Sequence, residues 1–377
     1  MATARTRTLP IDFRQQDVGR IMDRWRAAES CSLVGVGSVG KSNLLQHLAS
    51  PQVQAAYMKE AKVKLFKAIL IDPSLLAPLP QRGGPDSEQM RCWAGYELLM
   101  HRLFMAFHGT DALNGEEMQR FYETYQQLQN GANPLFPYMG LRYFEHGLEF
   151  FLRRGFHLVF MFDEFEELLR DLPVKFFLTL RGLRDANKKQ LSYLTFTRMP
   201  LPAILAREEI DPLTIEQFVE LFNDNTYFIG PYSDMDARRM VDDLMARNQV
   251  EYDEYTINFL LWATGRFAGL LRAGFRSLES LPDLSPSAVM TRSDKLASQL
   301  AVKLPVQTEC RTIWMSLSDV EKQVLKVAGG LASFSRDEHS TAAVQLLAQK
   351  SLLKVADDGS LHIEPPVFQH FVLLNPA

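Results

Sequence analysis

Ser32-Leu33-Val34-Gly35-Val36-Gly37-Ser38-Val39-Gly40-Lys41-Ser42 reads as a short apolar strand that runs into a glycine loop. The apolar spacing from Lys41 to Leu48 then predicts a helix. Residues Gly35 to Ser42 match G-x-x-x-x-G-K-S in full. Glycines at these places let backbone N–H groups turn inward around phosphates, and the helix that follows points its positive end at them. Lys41 is expected to reach the β and γ phosphates and Ser42 to ligate Mg²⁺. Gly35, Val36, Gly37, Ser38, Val39, Gly40, Lys41, Ser42 and Asn43 make up the candidate cradle. The competing reading is a ligand-free glycine loop before a helix. The strand before the loop and the helix after it favour the cradle.

Outward from this stretch, Phe66 to Asp72, Leu158 to Phe162, Leu191 to Thr197 and Tyr227 to Ile229 are further strand candidates. The third strand does not alternate, as expected where helices cover both faces of a sheet. Long helical patterns separate the strands, which predicts a three-layer α/β/α domain of the P-loop NTPase kind with a parallel sheet. Between Pro73 and about residue 155 the crossover is unusually long and carries three helical segments, read as an elaboration of that domain. The expected domains are 1–231, this ATPase domain; 232–290, a helical lid; and 291–377, helices followed by a hairpin at Asp357-Asp358-Gly359, hence a winged helix. Ser233 with Asp236 and Ser318 with Glu321 are expected capping boxes.

Phe162-Asp163-Glu164 ends a strand with two carboxylates. Asp163 is expected to be the second Mg²⁺ partner and Glu164 to polarise the attacking water. An acid-rich helix start, favoured by the helix dipole alone, is the other reading. Tyr193-Leu194-Thr195-Phe196-Thr197-Arg198 ends a strand in a cation, and Arg198 is read as a sensor of the γ-phosphate, with a surface arginine at a strand end as the other reading. Thr264-Gly265-Arg266-Phe267-Ala268-Gly269 opens a helix of the lid, where Gly265 and Ala268 are candidates to lie against adenine. A plain helix corner explains that stretch equally well.

Composition bounds the rest. The chain has 377 residues, 46% apolar and 23% charged, enough apolar content for two or three ordinary cores and too much for a disordered chain. A net charge of −4 advertises no affinity for nucleic acid or anionic membrane. Cys31, Cys92 and Cys310 are odd in number and in no metal-binding spacing. No apolar run approaches a membrane span, and the first ten residues lack the apolar segment of a secretory leader. A cytoplasmic location without membrane contact is expected.

The ordered set of phosphate loop, Asp163-Glu164, Thr195-Phe196-Thr197-Arg198, helical lid and winged helix resembles the STAND class of signalling P-loop ATPases. It also resembles the neighbouring AAA+ origin-recognition-like ATPases. The likeness covers roughly residues 13 to 281, with the winged helix similar by pattern only. The resemblance implies a switch that binds ATP or ADP with Mg²⁺, hydrolyses ATP slowly, and oligomerises in the ATP state or engages a separate sensor or effector protein. Ala268 stands where the STAND lid carries proline and where an AAA+ lid carries its sensor arginine; Arg266 and Arg272 are nearby substitutes. The resemblance also nominates His362 or His370 for the β-phosphate, and Arg181, Arg184 or Arg207 for a neighbour's ATP.

The alternative function is a DNA-handling ATPase similar to origin-recognition or transposition regulators. Residues 291–377 hold nine Lys and Arg against nine Asp and Glu, and the second helix of the expected winged helix has only Lys350 as a cation. Phosphate contacts need cations, so DNA is the less favoured partner. A metabolic kinase is set aside because nothing resembles an acceptor site.

Overall fold

The computed structural model describes residues 9–59, 65–84, 86–110, 112–130, 135–332 and 338–375. Residues 1–8, which carry the expectation that there is no leader, lie outside that set. Two compact units form. One takes the described residues up to Val34 together with Asn43–Tyr227; the other joins Gly35–Ser42 to the residues from Phe228 onward.

The first unit is built on β1 (Cys31–Val34), β2 (Leu65–Ile71), β3 (Phe156–Phe162), β4 (Leu191–Thr197) and β5 (Thr226–Phe228). The spatial order is β2-β3-β4-β1-β5, and the pairs β2–β3, β3–β4 and β1–β4 are parallel. This is the P-loop NTPase α/β fold. Every residue of β1, β3 and β4 is buried, which accounts for their unbroken apolar runs. The polar exceptions are partnered: Thr195 Oγ1 donates to Ser32 Oγ at 2.9 Å, tying β4 to β1. Register sets Phe162 beside Ile71 and Thr195, and Val34 beside Thr197. The carboxyl ends of four strands therefore share one edge, from which the chain leaves into the glycine loop, Asp163 and Arg198.

The long crossover forms helices at Ser87–Phe107, Gly115–Leu128 and Phe136–Leu152. Asn114 and Glu117 make a reciprocal cap for the second of them. Their inner faces share one core with the sheet: Phe107 stacks on Phe151 with centroids 3.9 Å apart, and Phe144 reaches Phe160 of β3. Gly95 is required there, because a Cβ would lie 2.5 Å from the ring of Phe176.

The second unit carries helices Asp234–Asn248, Glu254–Thr264, Ala268–Ser277, Pro286–Ala301, Leu304–Met315, Asp319–Ala328 and Glu338–Gln349. A hairpin of β6 (Leu353–Val355) and β7 (Leu361–Ile363) and a helix Pro366–Leu374 complete it. The Ser318–Glu321 capping box forms in full. At Ser233 only half of the expected box forms: the Asp236 N–H donates to Ser233 Oγ, but the Asp236 carboxylate takes the serine hydroxyl instead of the Ser233 N–H. All three cysteines are buried free thiols, and burial pushes the Cys31 thiol up to about 12 and that of Cys92 up to about 11. Among the described residues, no helix is long and apolar enough to cross a membrane.

Candidate nucleotide-binding site

The loop Gly35–Gly40 connects β1 to the helix Lys41–Ala49. Ser38 (φ +71°) and Gly40 (φ +91°) take left-handed backbone, which folds the loop back on itself and aims peptide groups to its inside. The first-turn N–H groups of the helix have no intrahelical acceptor, so the loop ends on a ready anion site. Lys41 and Asn43 are half-buried at that end, and Ser42 is exposed. Backbone donors, one ammonium and one hydroxyl fit a phosphate chain with its Mg²⁺.

A few residues of the second unit pack closely on this loop. A Cβ at Gly40 would lie 2.8 Å from Tyr232 Oη and 3.0 Å from Ala268 Cβ, and one at Gly37 would lie 2.6 Å from Thr312 Cγ2. Ser38 Oγ donates to Glu309 Oε2 at 2.7 Å, while its carbonyl accepts from Gly269 N–H at 2.8 Å. Gly37 N–H points to Ser316 Oγ at 3.5 Å. Of the lid motif, Ala268 and Gly269 therefore meet the loop. Gly265 is the left-handed cap of Glu254–Thr264 and sits against Pro365, to which its Cβ would come within 2.7 Å. Sequence reasoning missed Tyr232, Glu309, Thr312 and Ser316. Glu309, Thr312 and Ser316 follow helical spacing on one face, a signal that marks a shared surface without saying what it covers.

In the first unit, Asp163 continues the ladder beyond β3 by donating its N–H to Ile71 O at 3.0 Å. Its Oδ1 accepts the Glu164 N–H at 2.8 Å. Glu164 is left-handed (φ +39°, ψ +48°) at the start of the short helix Phe165–Asp171, an uncommon state for a glutamate. Arg198 Nη2 donates to Glu164 Oε1 at 2.8 Å, and its Nε lies 3.7 Å from Oε1 of buried Glu166. The sheet edge thus brings Asp163, Glu164 and Arg198 together. Thr195 and Thr197 of the same motif point elsewhere, toward Ser32 and the Leu33 carbonyl.

Other nominated residues are engaged otherwise. His370 Nε2 lies 3.2 Å from Asp294 Oδ1, and His362 Nε2 lies 3.0 Å from Ser360 Oγ on the hairpin. Arg181 pairs with Asp185, Arg184 reaches Asp185 and the Ala28 carbonyl, and Arg207 pairs with Glu208. Arg272 is exposed, and Arg266 lines a separate cavity with Trp262 and Lys354.

No protein-family model matches the sequence, and neither does any curated protein. The fold is similar to that of the Walker-type ATPase PABY2304 of Pyrococcus abyssi, with a TM-score of 0.51, 15% identity and 99% of each chain covered. It is also similar to the ORC2 protein of Aeropyrum pernix, solved as ADPNP–ADP complexes, with a TM-score of 0.52, 12% identity, and 99% of this chain and 97% of that one covered.

Proposed function

We propose that this chain binds ATP and ADP with Mg²⁺ at Gly35–Asn43 and hydrolyses ATP, as an AAA+ ATPase of the origin-recognition-like kind. The observation that carries the reading is the left-handed glycine loop leading from β1 into a helix, on a sheet whose same edge holds Asp163, Glu164 and Arg198. The nucleotides in the A. pernix complexes support it. In this reading the loop N–H groups and Lys41 bind the β and γ phosphates. Ser42 and Asp163 hold Mg²⁺ directly or through water, and the ion neutralises charge developing on the phosphates. Glu164 accepts a proton from the attacking water, and Arg198 leaves Glu164 for the γ-phosphate. Residues 1–231, 232–290 and 291–377 then serve as ATPase domain, lid and winged helix.

Of the two functions expected from sequence, the likeness to ORC2 supports DNA handling over a signalling switch. The test has two arms. Lys41→Ala is expected to weaken ADP binding by about 10- to 100-fold in calorimetry, the cost of losing a charge-assisted phosphate contact. Wild-type affinity in that variant overturns the assignment of the loop. DNA handling predicts duplex binding whose log K falls steeply with log salt. No binding at low salt, together with a larger particle with ADPNP than with ADP in light scattering, returns the assembling switch.

Glu309 supplies a second test of the loop. Its carboxylate is hydrogen-bonded to Ser38, so a bound phosphate meets a like charge, an effect of about 1 kcal/mol for unit charges about 4 Å apart where water screens them as in bulk. Glu309→Gln keeps a hydrogen-bonding group and removes the charge. It is expected to tighten ADP binding several-fold at low salt and less at high salt. An affinity indifferent to both substitution and salt would show that phosphate does not approach this face.

A further inference from the structure

A cavity of about 440 Å³ opens between the corner that follows helix Glu254–Thr264 and the β6–β7 hairpin, all within the second unit. This is a size suited to one small ligand. Its lining includes Trp262, 45% exposed, beside Arg266, Asn258, Asp234, Lys354 and Glu364. Tyr255, Asn258 and Trp262 fall on the same outward face of their helix.

Arg266 stands four residues beyond the tryptophan in left-handed backbone, φ +62°, directly after Gly265 at φ +57°. Glycine or asparagine adopts that conformation with less strain than arginine does. The corner is pinned by the Tyr232 N–H on the Arg266 carbonyl at 3.0 Å and by the Phe267 N–H on Thr264 O at 3.2 Å. Residues held in such backbone occur at binding sites, and among the described non-glycine residues with positive φ, Arg266 and Ser351 line this cavity. Among the described residues the Arg266 guanidinium has no carboxylate partner, whereas nearby Arg238 is taken up by Asp234, Glu254 and Asn258. Across the cavity Lys354, 74% exposed at its side chain, donates to Glu364 at 2.8 Å.

We propose that this cavity binds one nucleotide unit, its base stacked on Trp262, its phosphate held by Arg266 and Lys354, and its polar edge facing Asn258 and Glu364. The combination selects the ligand. A bare phosphate has no use for an indole face, and an apolar side chain would leave Arg266 unpaired. A base with its phosphate answers both, as aromatic stacking beside cations does in sequence-tolerant strand binding.

The nucleotide can be free or part of a single strand, and the probes separate the two. Fluorescein-labelled (dT)10 is titrated by anisotropy into the full chain carrying Lys41→Ala, with 5′-AMP as competitor. The Lys41→Ala background keeps the result independent of the phosphate loop. Binding is expected to persist there, to fall at least about tenfold in Trp262→Ala, and to stay within about threefold in Trp262→Phe. Arg266→Gly relieves the backbone strain, so its melting temperature should hold or rise while affinity falls at least about tenfold. Competition by AMP assigns a free nucleotide, and resistance to AMP assigns a strand. Failure of both (dT)10 by anisotropy and 5′-AMP by calorimetry to bind in the Lys41→Ala background, or binding indifferent to both Arg266→Gly and Trp262→Ala, overturns the proposal.

Discussion

Glu164→Gln is expected to lower ATP turnover by about 10²- to 10⁴-fold, the range in which a positioned general base contributes, while ATP affinity changes only a few-fold. The substitution keeps the side chain's size and one hydrogen-bonding oxygen for Arg198, so the sheet edge should stay intact. It removes the basic oxygen that takes the proton of water. Two features of Glu164 support this outcome. It follows Asp163 at the carboxyl end of β3, its backbone is left-handed, and its N–H donates to the Asp163 carboxylate. The Arg198 ion pair gives the effect a second signature. Arg198→Ala frees the Glu164 carboxylate and removes the expected γ-phosphate contact, so turnover should fall while ADP affinity is little changed. The readout is phosphate release in single-turnover mixing, with binding measured separately. Normal turnover in Glu164→Gln would reduce the residue to a dipole-favoured acid at a helix start.

The parts legible in the sequence were those that local physics decides. Unbroken apolar runs marked β3 and β4 because both faces of those strands are covered, and the glycine loop was legible because the tight left-handed turn after β1 favours glycine. The half-exposed edge strand β5 fell one residue earlier than expected, at Thr226–Phe228, as an element of three residues with little pattern allows. The helices Pro286–Ala301 and Leu304–Met315 went unread. The first is kinked at Arg292, which breaks its period, and the second opens on Pro305 with mostly polar residues outside Val306, Cys310 and Ile313. Glu309 was invisible for a different reason. Its partner Ser38 lies 271 positions away, and only the tertiary fold makes them neighbours. By position Arg266 is a substitute sensor, because it stands beside the expected lid position at Ala268. In the structure it lines the cavity of Trp262 in left-handed backbone, a conformation that its residue type does not signal.

The second large effect is structural and decides how DNA binding can be tested. Lys350, the one cation of the expected recognition helix, is 1% exposed at its side chain and donates to Glu321 Oε1 at 2.5 Å. Burial pushes its ammonium below the ordinary lysine range, and Glu321 opposes that shift. Glu321 serves twice, since its Oε2 also accepts the Ser318 N–H at 2.8 Å and completes the cap of Asp319–Ala328. Glu321→Ala should therefore strand a buried charge and open a helix end together. About 3–5 kcal/mol is expected for the first and about 1 kcal/mol for the second. A fall of that size in the unfolding free energy from urea titration is the check. Lys350→Met with Glu321→Leu should recover most of it, because an apolar pair replaces a buried ion pair at little cost. A loss below 1 kcal/mol in Glu321→Ala would mean that the lysine reaches solvent. It follows that Lys350 cannot neutralise a DNA phosphate while this unit is folded, so weaker DNA binding in a Lys350 variant should track unfolding. Lys354, exposed and paired among the described residues with Glu364, is a cation of this segment whose removal should change the salt slope without changing stability.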